Sequence, residues 1–125
     1  MSDFVDIDDI LHEIATAMDG IADKVFVQKV PKAIPERLDS YLLIVMRNEV
    51  NNQFAYKRTY AQIYAVAKDK ANGVMNVPLI NEMTETIFSK FPYHGEGFTL
   101  TSPTITPYRS IEGFSYAIIN SQLTI

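Results

Sequence analysis

Three segments of this chain are apolar on both sides when they are read as β-strands, whereas only two segments have the periodicity of amphipathic helices. The first of the three, Tyr41–Met46, is the longest uninterrupted apolar run in the sequence. The other two span residues 55–68 and 114–125. Strands of this kind are usually buried on both faces of their sheet. Because only two helices are available to cover these strands, few folds can bury both faces of the sheet.

The length of 125 residues predicts a single domain, 1–125. The absence of cysteine excludes disulfides, thiol nucleophiles and Cys-based zinc sites. A membrane-spanning helix needs about twenty apolar residues, so none is expected. The first residues are acidic, in contrast to the basic and then apolar start of a secretory signal.

The two helices are predicted at 6–19 and 77–91, where apolar residues recur at spacings of three and four. Asp6 is expected to cap the first helix, and Gly20 is expected to end it because glycine enters the left-handed region without strain. Asn76 is expected to cap the second helix.

The remaining apolar segments predict strands, and the polar or proline-bearing stretches between them predict loops. Pro103 and Pro107 place the residues after Thr101 on a sheet edge or in a loop. Asn72 and Gly73 predict a turn. The predicted strands are Val25–Val27, Tyr41–Arg47, 55–68, Phe98–Thr101 and Phe114–Ile125.

The order of elements, α-β-β-β-α-β-β, is typical of an α+β fold. We expect two helices packed on one face of a mainly antiparallel sheet of four to five strands. Each helix is about 21 Å long and about 10 Å wide, so two of them cover one face of such a sheet and no more. The side of the third strand that carries Ala61, Ile63, Ala65 and Ala67 suits that covered face.

The other face of the sheet needs a second cover. Either loops 31–40 and 102–113 fold across it, or it is a tyrosine-rich surface for self-association. The second interpretation favours a ring, which needs one patch to meet a different patch. The loops at 48–54 and 102–113 are candidates for the second patch. The candidate interface residues of the first patch are Arg47, Tyr56, Arg58, Tyr60 and Tyr64.

Charge is unevenly distributed along the chain. The first 23 residues contain seven acids and no Lys or Arg, while the formal net charge of the whole chain is −4. These acids are favourable near the N-terminus of a solvated first helix, where the helix dipole is positive. Alternatively, they form an acidic surface of one copy that lies near a basic surface of another copy in an assembly. The net negative charge argues against nucleic-acid binding.

Motifs for chemistry are missing from the sequence. The two histidines, His12 and His94, are not spaced as metal ligands, and no phosphate-binding or nucleophile motif occurs. We therefore predict no catalytic, cofactor-binding or metal-binding residue. A small enzyme with a site near Tyr93, His94 and Glu96 stays open as a hypothesis.

The layout resembles that of the tail-terminator, or tail-completion, proteins of long-tailed bacteriophages. The resemblance spans nearly the whole chain and lies in the order of the segments VFVQKVPKAIP, SYLLIVMRN, YAQIYAVAKDKANG, NVPLINEMTETIFSKF and GFSYAIINSQLTI. It implies a ring, typically a hexamer, that caps the tail tube, halts its polymerisation and meets the head connector.

The same resemblance implies further properties. The partners would be other copies of the chain, the tail-tube protein and the head-completion protein. Nucleic acid would at most pass through the ring, and neither a membrane nor catalysis would be involved. The protein would reside in the virion tail after assembly in the bacterial cytoplasm. The alternative is a small adaptor or binding domain of a secretion or mobile-element system.

Overall fold

The computed structural model describes residues 7–28, 38–46, 58–111 and 113–124. Within these ranges the chain forms two helices and six strands. Several residues of the predicted elements lie outside the described residues, namely Asp6, loop residues 31–37, the loop 48–54, residues 55–57 of the predicted third strand and Ile125. The elements are α1 (Ile7–Ala17), β1 (Val25–Val27), β2 (Ser40–Met46), β3 (Arg58–Lys68), α2 (Val77–Ser89), β4 (Tyr93–Gly95), β5 (Phe98–Ile111) and β6 (Phe114–Thr124).

The six strands form one sheet in the order β1-β2-β3-β6-β5-β4. The predicted α+β class is confirmed, but the prediction of four to five strands is wrong by at least one. The sheet is also mixed, because β1 pairs with β2 in parallel while the other neighbours are antiparallel. The additional strand is β4, which lies between the predicted second helix and the predicted strand Phe98–Thr101 and is not among the predicted strands.

Strand β5 is continuous over fourteen residues, instead of ending at Thr101 as predicted. Its pairing with β6 shifts register between Thr101 and Thr104 and again between Thr106 and Arg109. Pro103 lies within the first shift and Pro107 within the second. Proline has no backbone N–H to donate, so both prolines fit into the strand at places where the regular pairing is interrupted. From Thr104 onward β5 pairs with β6 alone among the described strands, which agrees with an edge position.

Both helices end close to their predicted positions. α1 ends at Ala17 and continues as a turn to Gly20, whose φ of 89° lies in the left-handed region. Asn76 caps α2, since its side-chain oxygen accepts a hydrogen bond from the backbone N–H of Leu79 at 3.4 Å. At the intervening turn, Gly73 has a φ of 79°, and its N–H donates to the Lys70 carbonyl at 2.8 Å.

The core lies between the two helices and one face of the sheet. α1 packs against β1 and β2, and α2 packs against β3 and β6. The small side chains of Ala61, Ala65 and Ala67 are fully buried, so the backbone of β3 can lie close to α2. The same cluster contains Ile10, Leu11, Ile14, Met18, Leu42, Ile44, Ile63, Ile80, Met83, Ile87, Leu100, Ala117, Ile119 and Leu123.

The sheet curves around the helices. α1 contacts β1 at one edge of the sheet and β4 at the other. In a flat sheet these edges would be about 24 Å apart, whereas α1, with eleven residues, is about 16 Å long. Its contact with both edges agrees with a sheet that bends into a half-barrel. The helices occupy the concave side, and the opposite side is convex.

Candidate self-association surface

Buried side chains alternate with half-buried or exposed ones along most of the central strands, except at Tyr41 and Val66, which are buried as well. In β6 the inward residues from Ser115 to Leu123 are buried, and the intervening ones are half-buried. We call the convex surface formed by the outward side chains the outer face. Its members are Tyr41, Leu43, Val45, Tyr60, Gln62, Tyr64, Val66, Phe114, Tyr116, Ile118, Asn120 and Gln122.

Aromatic rings close one end of the outer face. Tyr41 makes edge contacts with Phe26 and with Phe114, at centroid distances of 5.5 and 5.9 Å. Tyr41 is only 7% exposed and Val66 only 3%, so this end is covered by the chain itself. Burial also raises the pKa of the Tyr41 phenol above its ordinary value.

The middle of the outer face combines a tyrosine pair with a row of polar side chains. The rings of Tyr64 and Tyr116 lie 5.7 Å apart on neighbouring strands. Beside them, Gln62 Nε2 donates to Asn120 Oδ1 at 2.8 Å, and Asn120 Nδ2 donates to Thr106 Oγ1 at 3.0 Å. The row crosses β3, β6 and β5, and its bonds fix the orientation of both amides.

The other end of the outer face is open. Tyr60 is 47% exposed and is one of the three large apolar residues most exposed in the described part of the chain. Tyr64 is on the same face of β3, four residues further on, at about 13 Å along the strand. Tyrosine is well suited to an interface, since its ring tolerates burial while its hydroxyl needs a polar partner.

The structure brings two of the five predicted interface residues together. Tyr60 and Tyr64 share the outer face of β3. Arg58 begins β3 opposite Thr124. Arg47 and Tyr56 lie outside the described residues. Segment 102–111 does not fold across the sheet as a loop, because it continues β5 within the sheet.

Several members of the outer face are absent from the interface residues predicted from the sequence, among them Gln62, Tyr116 and Asn120. The alternation of the last strand indicates that Tyr116 shares a face with Phe114 and Ile118. Its position opposite Val66, by contrast, follows from the pairing of β6 with β3. Gln62 and Asn120 meet across a separation of 58 residues. No local pattern indicates that contact.

The residues of the enzyme hypothesis belong to a contact between α1 and β4. Tyr93 donates its hydroxyl to Glu13 Oε2 at 3.0 Å, and the backbone N–H of Glu96 donates to both oxygens of Glu13 at 3.3 Å. Burial first, and then the hydrogen bond to Glu13 and its negative charge, raise the pKa of Tyr93. The Glu13 carboxylate thus ties helix to strand, while the side chain of His94 is exposed.

Two further features bear on function. Within the described ranges, no group of three or more His, Asp or Glu side chains is arranged to hold a metal ion. None of the described helices has the length and apolar character needed to span a membrane.

The comparisons with known proteins give no family for this chain. No protein-family model matches it. No curated protein matches it in sequence either.

Proposed function

We propose that this chain is a structural protein of a bacteriophage or prophage tail, a tail terminator that assembles into a ring. The ring caps the tail tube and joins it to the head connector, and no catalysis is involved. The observation that carries the self-association is the outer face, which leaves tyrosines at least partly exposed after the helices have covered the other side of the sheet.

The burial pattern supports an interface at this place. The inner face is complete, since its side chains are fully buried under α1 and α2. The outer face is closed at Tyr41 and Val66 but open at Tyr60. Protein interfaces are enriched in aromatic residues and have a polar rim. The outer face combines aromatic residues with polar amides in the same way.

The curvature of the sheet supports a heterologous contact. Two convex surfaces touch over a small area, so two outer faces make a poor symmetric pair. A convex patch packs best against a different, concave or flat, patch of the next copy. Such contacts repeat around an axis and close into a ring when the rotation permits.

The polar row supports a preformed interface. Asn120 accepts from Gln62 and donates to Thr106, so the amides hold one orientation before any partner arrives. Side chains that are already ordered lose less conformational entropy on binding.

Light scattering over a range of concentrations tests the self-association. The wild-type chain should reach a mass several times 14.1 kDa, whereas Tyr60→Asp combined with Tyr64→Asp should remain a monomer, because two carboxylates would be buried in the interface. The single variant Tyr60→Asp, at the more exposed position, should weaken assembly in the same direction.

The matched control adds the same charge elsewhere. Ala71 and Val74 are exposed in the turn before α2, so Ala71→Asp with Val74→Asp should assemble like the wild type. Assembly of the Tyr60 and Tyr64 double variant at wild-type concentrations would refute the outer face as the interface.

The tail role needs a separate experiment. Purified protein added to polymerising tail-tube protein from the same genome should stop tube growth and appear as a ring at one tube end in electron micrographs. The Tyr60→Asp, Tyr64→Asp variant should leave tube length unlimited. Assembly into rings without any effect on the tubes would support self-association and refute tail termination.

A further inference from the structure

Strand β4 is a very short edge strand. Among the described strands, its three residues pair only with Phe98–Leu100, the first three residues of the much longer β5. Tyr93 adds an aromatic contact to Phe98, with ring centroids 5.9 Å apart. β5 is anchored by its pairing with β6, whereas β4 is joined to the sheet at three paired positions. Contacts beyond this pairing therefore add to the stability of β4.

Glu13 supplies that additional contact from outside the sheet. Its carboxylate accepts the Tyr93 hydroxyl at 3.0 Å and the Glu96 N–H at 3.3 Å, so it binds residues on both sides of Gly95. Hydrogen bonds to a charged acceptor are stronger than those between neutral groups. The carboxylate and β4 belong to elements eighty residues apart in the chain.

The contact is also closely packed. A Cβ atom added to Gly95 would collide with the Phe98 ring and with Glu13 Oε2. The carboxylate therefore lies directly against the backbone of β4. Only a residue without a side chain allows this approach.

We propose that the Glu13 carboxylate keeps β4 paired with the start of β5, and that β4 detaches from this edge of the sheet when the hydrogen bonds to Glu13 are lost. We call this contact the lock. Opening exposes the backbone edge of Phe98–Leu100, which extends the edge that β5 already presents from Thr104 onward. α1 also contacts β1 at the opposite edge of the sheet. The proposal is independent of assembly, because every contact lies within one chain.

Hydrogen exchange of the full chain, measured at a concentration where it is monomeric, tests the lock. Glu13→Ala should raise the exchange rates of those amides in residues 93–100 that bond between β4 and β5 about tenfold or more, because the bonds to a charged acceptor are lost and β4 opens. Amides of β3 should keep their wild-type rates. Asp9→Ala, which removes an exposed acid one turn earlier in α1, should change neither set.

Two outcomes would overturn the proposal. Unchanged exchange at 93–100 in Glu13→Ala would mean that Glu13 does not hold β4, and an equal rise in β3 would mean general destabilisation instead of local opening. If circular dichroism shows that Glu13→Ala does not fold, Tyr93→Phe replaces it. That variant keeps the ring and loses one hydrogen bond, and it should give a smaller rise confined to 93–100; the absence of this rise would likewise refute the lock.

Discussion

Gln62 and Asn120 join the two central strands of the sheet through a side-chain hydrogen bond of 2.8 Å on the convex outer face. Because Asn120 also donates to Thr106, the bond belongs to a row across three strands. Both amides are half-buried, so each would be left partly desolvated and without its neighbour if the other were removed.

A double-mutant cycle on this pair should show coupling. Gln62→Ala and Asn120→Ala should each lower the free energy of unfolding by about 0.5–1.5 kcal/mol. The double variant should lose less than the sum, by about 0.5 kcal/mol or more, because the second substitution removes a bond already broken. Urea unfolding measures all three variants. Losses that add within about 0.3 kcal/mol would show that the two amides act independently.

The two faces of β3 should differ strongly in their sensitivity to truncation. Ile63 is fully buried under the helices, so Ile63→Ala should cost about 2–5 kcal/mol through lost burial and the cavity left behind. Tyr60→Ala on the outer face should cost less than about 1 kcal/mol. Thermal unfolding of the two variants at a concentration without assembly measures the contrast. Equal losses would mean that the outer end of β3 is as tightly packed as the inner face.

The sequence predicts this division between faces because a strand alternates with a period of two. The alanines of β3 and the pair Leu42 and Ile44 are all buried, as their alternation indicates. The same period places Tyr60 and Tyr64 together on the outer face. Periodicity is a local property, and it does not depend on which strands become neighbours.

Features that depend on distant partners are not predictable in this way. The three residues of β4 become a strand because β5 and Glu13 lie beside them. The run Val25–Val27 has no residue that specifies parallel pairing with β2. Pro103 and Pro107 predict an interruption, but the register shifts that keep β5 continuous depend on β6. Contacts such as Gln62 with Asn120 follow from this topology.

A side chain at position 95 should destabilise the fold. In Gly95→Ala the new methyl group would collide with the Phe98 ring and Glu13 Oε2, and the resulting displacement should cost about 1–3 kcal/mol of unfolding free energy. Glu96→Ala is the control, because Glu96 contributes its backbone N–H to Glu13 and its side chain is exposed. That variant should stay within about 0.5 kcal/mol of the wild type. Chemical denaturation measures the free energy of unfolding of both variants. An unchanged value for Gly95→Ala would show that β4 can shift without loss of stability.

The stability of the fold should fall at alkaline pH, in part through Tyr93. Its pKa is raised by burial and by the carboxylate of Glu13, so folding favours the neutral phenol over the phenolate. The corresponding stabilisation is fully present below about pH 10, where tyrosine in the unfolded chain is neutral, and is lost as the pH rises through the higher folded pKa. Tyr93→Phe cannot ionise at this position. Its unfolding free energy should therefore decrease less than that of the wild type between about pH 9 and pH 11. Urea titrations across this range measure both curves, and parallel curves would show that ionisation of Tyr93 is not coupled to unfolding.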